Sequence, residues 1–242
     1  GWTWCLTNPE AVALQEQLAL EMHDAFGRPP YFHAGCDEAY DMGTCARCRR
    51  SDYALAVAAA LTRIHDALAA RDCRMMVWHD MLLRAGDPRW KGYYANGRAW
   101  AETLLDALPR DMVICDWFYS APVKGEKAGA DFPTLRHFKA KGFSVLACPW
   151  ENPEGYQAQA RAVKEVGLDG MLSTTWHHLY GVSMQPIYEN AANAMWGTRP
   201  FGNTNLGFAH HLRQVGWDIP VKDYKDTGFY HHQLPALNHS PR

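Results

Sequence analysis

The sequence predicts an α/β fold with a parallel sheet, arranged as in a (β/α)8 TIM barrel. Three observations predict it. Short apolar stretches alternate with helical patterns through the first 200 residues, as strand–helix units do. A polar or aromatic cluster closes each apolar stretch: Asp37-Glu38, Trp78-His79-Asp80, Asp116-Trp117-Phe118-Tyr119, Pro149-Trp150-Glu151 and Trp176-His177-His178. Side chains gathered at the carboxyl ends of parallel strands are how such barrels build their sites. Finally, no G-x-G-x-x-G joins a strand to a helix, as an open dinucleotide-binding sheet would require.

Asn8-Pro9 reads as the cap and first position of a helix, along which Leu14, Leu18, Met22 and Phe26 recur every four residues. Gly27 and Pro29-Pro30 end it. Tyr31 to Gly35 is a short strand. A second helix starts near Ser51, with Val57, Leu61, Ile64 and Leu68 on one face. Met75 to Trp78 is a buried strand, and Trp100, Leu104 and Leu108 lie on a helix that Pro109 stops. Met112 to Cys115 is the next strand, followed by a helix opening near Asp131 and Pro133. Phe143 to Ala147 is a strand, and Asn152-Pro153-Glu154 caps the helix carrying Tyr156, Ala160 and Val163. Met171 to Thr175 is the last strand, before a helix through Ala191, Ala194 and Trp196.

The chain has 242 residues, 48% of them hydrophobic, enough to bury a large core. Lys and Arg number 24 against 26 for Asp and Glu, so no basic excess points to nucleic acid or an anionic membrane. The longest apolar run, Ala54 to Leu61, is too short to span a bilayer. Ten Trp, 11 Tyr and 9 Phe exclude a solvated chain and supply faces that can stack on sugar rings. Seven cysteines, an odd number, do not make the framework of a small disulfide-stapled domain, and lean towards a reducing, cytoplasmic setting.

The sharpest motif is His33-Ala34-Gly35-Cys36-Asp37-Glu38. Neighbouring side chains of a strand point to opposite faces, so two carboxylates can share a pocket only if the backbone turns, which Gly35 permits. Close carboxylates repel, one pKa rises, and the pair becomes one acid and one anion. A surface Asp-Glu pair is the plainer reading; the apolar strand before it and Trp at other strand ends speak against that.

His33 to Glu38 resembles the H-x-G-G-D-E signature of glycoside hydrolase family 20, the β-N-acetylhexosaminidases. Cys5-Leu6-Thr7-Asn8-Pro9-Glu10, Val77-Trp78-His79-Asp80-Met81 and Thr174-Thr175-Trp176 match in the same order, so the resemblance runs from about residue 5 to 197. It implies that 1–200 is an incomplete barrel catalytic domain, about five C-terminal units of it, with 201–242 an extension. It also implies an exo-acting, retaining enzyme in which the substrate's 2-acetamido group is the nucleophile and an oxazolinium ion forms. Glu38 would then be the acid and base, and Asp37 would orient the acetamido N–H. His33 would contact substrate, Tyr119 would bond the acetamido oxygen, and Trp78, Trp150 and Trp176 would wall the pocket. Asp80 would bind a sugar hydroxyl or cap a helix. The implied partner is an N-acetylhexosamine-containing glycan, with no cofactor and no metal. Cys36 departs from the signature's second glycine, and His177-His178 stand where the family often has a carboxylate. The family's Arg of the first strand falls upstream of this chain.

Two rival readings are a sugar-binding relative without turnover, which the intact Asp37-Glu38 pair disfavours, and a metal-dependent hydrolase using His33, Asp37, His79 and Asp80, which no ligand spacing supports. Cys45-Ala46-Arg47-Cys48 is half a zinc knuckle whose completion would need Cys36 or a distant His; a loop thiol pair is the plainer reading. His210-His211 and His231-His232 read as surface pairs. Five units do not close an eight-stranded barrel, so the strand at Tyr31 is expected to have an open edge. The 242-residue chain alone is therefore expected to be nearly inactive and to self-associate.

Overall fold

The computed structural model describes residues 3–119, 132–150, 152–176 and 184–196, with backbone alone over 184–189. Glu151, His177, His178, the two later His pairs and the extension 201–242 lie outside the described residues.

The elements are α1 (Pro9–Ala25), β1 (Tyr31–His33), α2 (Tyr53–Ala69), β2 (Arg74–Trp78), α3 (Ala101–Ala107), β3 (Val113–Trp117), α4 (Pro133–Ala140), β4 (Ser144–Cys148), α5 (Pro153–Val166), β5 (Gly170–Met171) and α6 (Met184–Met195). The strands bond in chain order, β1 to β5, into one parallel sheet. Tyr31 stands opposite Arg74, and Met76 opposite Val113. Each strand expected from the sequence is present with its ends moved by a few residues. The last is the most shortened: it ends at Met171, and beyond it both the amide and the hydroxyl of Thr174 donate to Pro149 O at 3.0 Å.

The chain divides into two compact units. The first comprises the described residues of Gly1–Phe118, Val123–Ala147 and Ala162–Gly170; the second, those of Tyr119–Pro122, Cys148–Arg161 and Met171–Arg242. In the first unit α2 is the anchor. Its cap, Asp52 Oδ1, accepts from Leu55 N–H at 3.4 Å, and Val57, Leu61, Ile64 and Leu68 are all buried. Burying each such side chain contributes on the order of 1.5–3 kcal/mol.

α1 forms where its cap and proline put it, with Asn8 Oδ1 accepting from Glu10 N–H at 3.3 Å, but its apolar stripe faces outward. Leu14, Leu18, Met22 and Phe26 are exposed, Phe26 at 74%, while Val12, Ala19 and His23 are buried. Polar anchors set this rotation. Glu16 pairs with Arg63 of α2. Arg71 donates to Leu20 O at 3.2 Å and to Asp24 Oδ2 at 3.0 Å, and His23 Nε2 bonds Pro29 O at 3.0 Å.

Candidate active site

β1 ends at His33, but the chain stays paired to β2: Ala34 N–H donates to Met76 O (2.8 Å) and Trp78 N–H to Gly35 O (2.9 Å). Gly35 (φ +74), Cys36 (φ +77) and Glu38 (φ +48) then adopt the left-handed region. For Cys and Glu that conformation costs on the order of 1–3 kcal/mol each, and it persists only where the surroundings over-determine it. The turn that two neighbouring carboxylates require is therefore present, and it extends past the glycine.

Asp80 holds this turn in place. It is fully buried. Its Oδ2 accepts from Glu38 N–H (3.0 Å) and Asn96 Nδ2 (2.8 Å), and its Oδ1 from Trp117 Nε1–H (3.3 Å). The Asp80 carbonyl also accepts from the amides of Asn96 (2.8 Å) and Gly97 (3.2 Å). Sequence reasoning offered a sugar hydroxyl or a helix cap for Asp80. Its protein partners are the acid-pair turn, the 96–97 loop and the Trp117 indole.

Asp37 is half-buried and Glu38 exposed. Burial pushes the Asp37 carboxyl up, the charges of Asp80 and Glu38 add to this, and its own amide and His33 oppose it. Tyr40 Oη donates to Glu38 Oε1 at 3.1 Å. Burial, then the Glu38 carboxylate, raises that phenol, so it remains a donor.

His33 Nδ1 accepts from Gly35 N–H at 3.0 Å, so the neutral ring carries its proton on Nε2, which is buried without a hydrogen bond. Its ring packs on Trp78, with centroids 4.2 Å apart. His79 is buried; Nδ1 accepts from Trp117 N–H (3.2 Å) and Nε2 faces Asp116 Oδ1 (3.4 Å). Burial raises the Asp116 carboxyl, against the pull of His79 and Thr134. Both His79 nitrogens and both Asp80 oxygens thus have protein partners.

Sequence reasoning missed Tyr94, Asn96 and Gly97. Tyr94 stacks on Trp117 with centroids 4.1 Å apart and planes at 23°. Burial, then the Glu38 charge, raises its phenol, which marks it as a neighbour of the acid pair. The signal available was the Asn96-Gly97 turn dipeptide, one residue beyond Tyr93-Tyr94.

Tyr119, Trp150 and Trp176 belong to the second unit. Tyr119 meets Trp150 edge-on, with centroids 4.9 Å apart, and Trp150 packs against a core of Tyr156, Ala160 and Ala194. A Cβ on Gly155 would stand 2.6 Å from Tyr119 O, so the glycine permits this approach. Trp176 is left-handed at φ +43. The structure thus brings His33, Asp37, Glu38, Trp78 and Asp80 together in one unit, and Tyr119 with Trp150 in the other.

No protein-family model and no curated protein sequence matches this chain. Solved structures do. A β-N-acetylhexosaminidase from Bacteroides fragilis is similar at a TM-score of 0.55 and 13% identity, over 95% of this chain and 50% of that one. A chitobiase from Flavobacterium johnsoniae is similar at 0.53 and 14%, over 96% and 41%. A family 20 exo-β-N-acetylglucosaminidase from Vibrio harveyi is similar at 0.51 and 15%, over 86% and 35%. At such identities the likeness is one of fold. The chain spans half or less of the length of these three proteins.

Proposed function

We propose that this chain carries the acid pair of a family 20 type glycoside hydrolase, an exo-acting, retaining β-N-acetylhexosaminidase whose sheet is part of a (β/α)8 barrel. The observation that carries the reading is the left-handed turn at the end of β1, in which Asp37 and Glu38 are adjacent and the Glu38 amide is tied to buried Asp80. The fold of the hexosaminidases named above supports it.

In this reading the acetamido oxygen of the substrate attacks the anomeric carbon while the Glu38 carboxyl protonates the departing glycosidic oxygen. The resulting carboxylate then takes a proton from the water that opens the oxazolinium ion. Two inversions retain the configuration. Asp37 accepts the acetamido N–H and, as an anion, is favoured by the positive charge that develops, a preorganised electrostatic role. The His33 Nε2–H is a buried donor suited to a sugar oxygen, and Trp78 offers a ring face. Tyr119 is assigned the acetamido oxygen, and Trp150 and Trp176 the pocket walls. Asp80 is a positioning residue.

The test uses the complete gene product. Glu38→Gln is expected to lower kcat on an N-acetylglucosamine disaccharide by about 10²–10⁴, with less effect on aryl glycosides that leave readily. The plain β-glucoside should be nearly inert. Wild-type turnover in Glu38→Gln sinks the assignment, and equal turnover of the two sugars shows that an enzyme carboxylate attacks instead.

A further inference from the structure

Three thiols meet in the first unit, away from the acid-pair turn. Cys5 precedes α1, and Cys45 and Cys48 lie in the loop after Glu38. The Sγ atoms stand 3.5 Å (Cys5–Cys45), 3.6 Å (Cys5–Cys48) and 3.3 Å (Cys45–Cys48) apart. All are free thiols, since bonded sulfurs would lie about 2.05 Å apart. Among the described residues this is the one group of three or more His, Cys, Asp or Glu side chains whose ligand atoms converge to metal-binding range. The third member is Cys5; neither Cys36 nor a histidine completes the half-knuckle.

The triangle has the right size. Thiolates bound tetrahedrally at about 2.3 Å from a zinc ion have sulfurs about 3.8 Å apart, a few tenths beyond those observed. Cys48 N–H already donates to Cys45 Sγ at 3.4 Å, which orients that sulfur. Thr7 Oγ1 lies 3.3 Å from the sulfurs of both Cys5 and Cys48. Three thiolates packed together repel, and a divalent cation relieves the repulsion as it displaces three protons. Sulfur ligands select a zinc-class ion over magnesium or calcium.

We propose that Cys5, Cys45 and Cys48 bind one zinc-class ion, with solvent as fourth ligand on the exposed Cys45 side, and that this ion staples the segment before α1 to the loop after Asp37-Glu38. The role is structural and independent of glycosidase activity.

The test is direct. The reduced, chelator-treated complete gene product is titrated with Zn²⁺ or Co²⁺ alone. One equivalent is expected to bind, with thiolate-to-cobalt charge-transfer absorption and tetrahedral d–d bands. Alkylation followed by mass spectrometry should find Cys5, Cys45 and Cys48 protected by zinc and labelled after chelation, with buried Cys73 the same in both. Cys5→Ser should weaken binding by at least about a hundredfold. Equal labelling of the three cysteines with and without zinc, or absence of the cobalt charge-transfer band, overturns the proposal. Both readouts use wild-type protein, so a variant that fails to fold leaves the test intact.

Discussion

A buried carboxylate accepting three hydrogen bonds, as Asp80 does from Glu38, Asn96 and Trp117, cannot become its amide without turning one donor against another. In either orientation of Asp80→Asn, the new NH₂ faces N–H groups that had faced oxygen. Leaving such a buried donor unsatisfied costs about 1–3 kcal/mol, and the Glu38 turn, already strained, is the part free to move. Asp80→Asn is therefore expected to lower kcat with little change in KM. Combined with Glu38→Gln it should lower kcat scarcely further, because the group it positions is already gone. A raised KM at unchanged kcat would mean that Asp80 binds a sugar hydroxyl directly. The Asp37-Glu38 pair was legible in the sequence because its six-residue motif is contiguous. The partners of Asp80 were not, because they lie 42 residues before, 16 after and 37 after it. The same holds for Cys5, whose thiol partners are 40 and 43 residues away; only folding brings these groups together.

The 96–97 loop is the element on which the Asp80 tether depends, and its packing makes one glycine indispensable. A Cβ at Gly97 would collide with Met81 O and stand 2.8 Å from both Leu83 O and the Ala101 side chain. Met81 lies within the short 3₁₀ turn of Asp80–Leu82 and Leu83 directly follows it, so relief must come from the loop backing away, which takes Asn96 off Asp80. Gly97→Ala is expected to destabilise the protein by about 1–3 kcal/mol and to lower kcat. Gly92→Ala, at φ +86 with open space around it, should cost stability alone. Denaturant midpoints and kcat for the two variants check this, and equal activity in both would detach the loop from the site. Elements were readable where local signals agreed: the cap Asn8 and the α2 face appear as the pattern implied. α1 was read correctly as a helix, but its rotation was not readable. Spacing says which residues share a stripe, but the partners of the other face, Arg63 for Glu16 and Arg71 for Asp24, lie 47 residues further on.

At the scale of the whole chain, two exposed features adjoin in sequence. Among the described residues β1 pairs with β2 alone, and a strand edge with no neighbour is a template for another strand. Just before it, α1 presents Leu14, Leu18, Met22 and Phe26 to solvent, and Tyr31 of β1 is itself 50% exposed. Scattered apolar side chains on a surface need no explanation, but a stripe running into a strand edge marks an association surface. A net charge of −2 gives little repulsion to keep copies apart. The 242-residue chain is therefore expected to self-associate, with sedimentation coefficients that rise with concentration. Leu18→Glu with Phe26→Glu would put two charges on the stripe and should shift the protein towards monomer without loss of helical circular dichroism, since neither side chain is in the core. Tyr31→Lys should act in the same direction through the strand edge. If wild type sediments as one monomeric species at every concentration, or if both charged variants associate as strongly as wild type, the surface lies elsewhere.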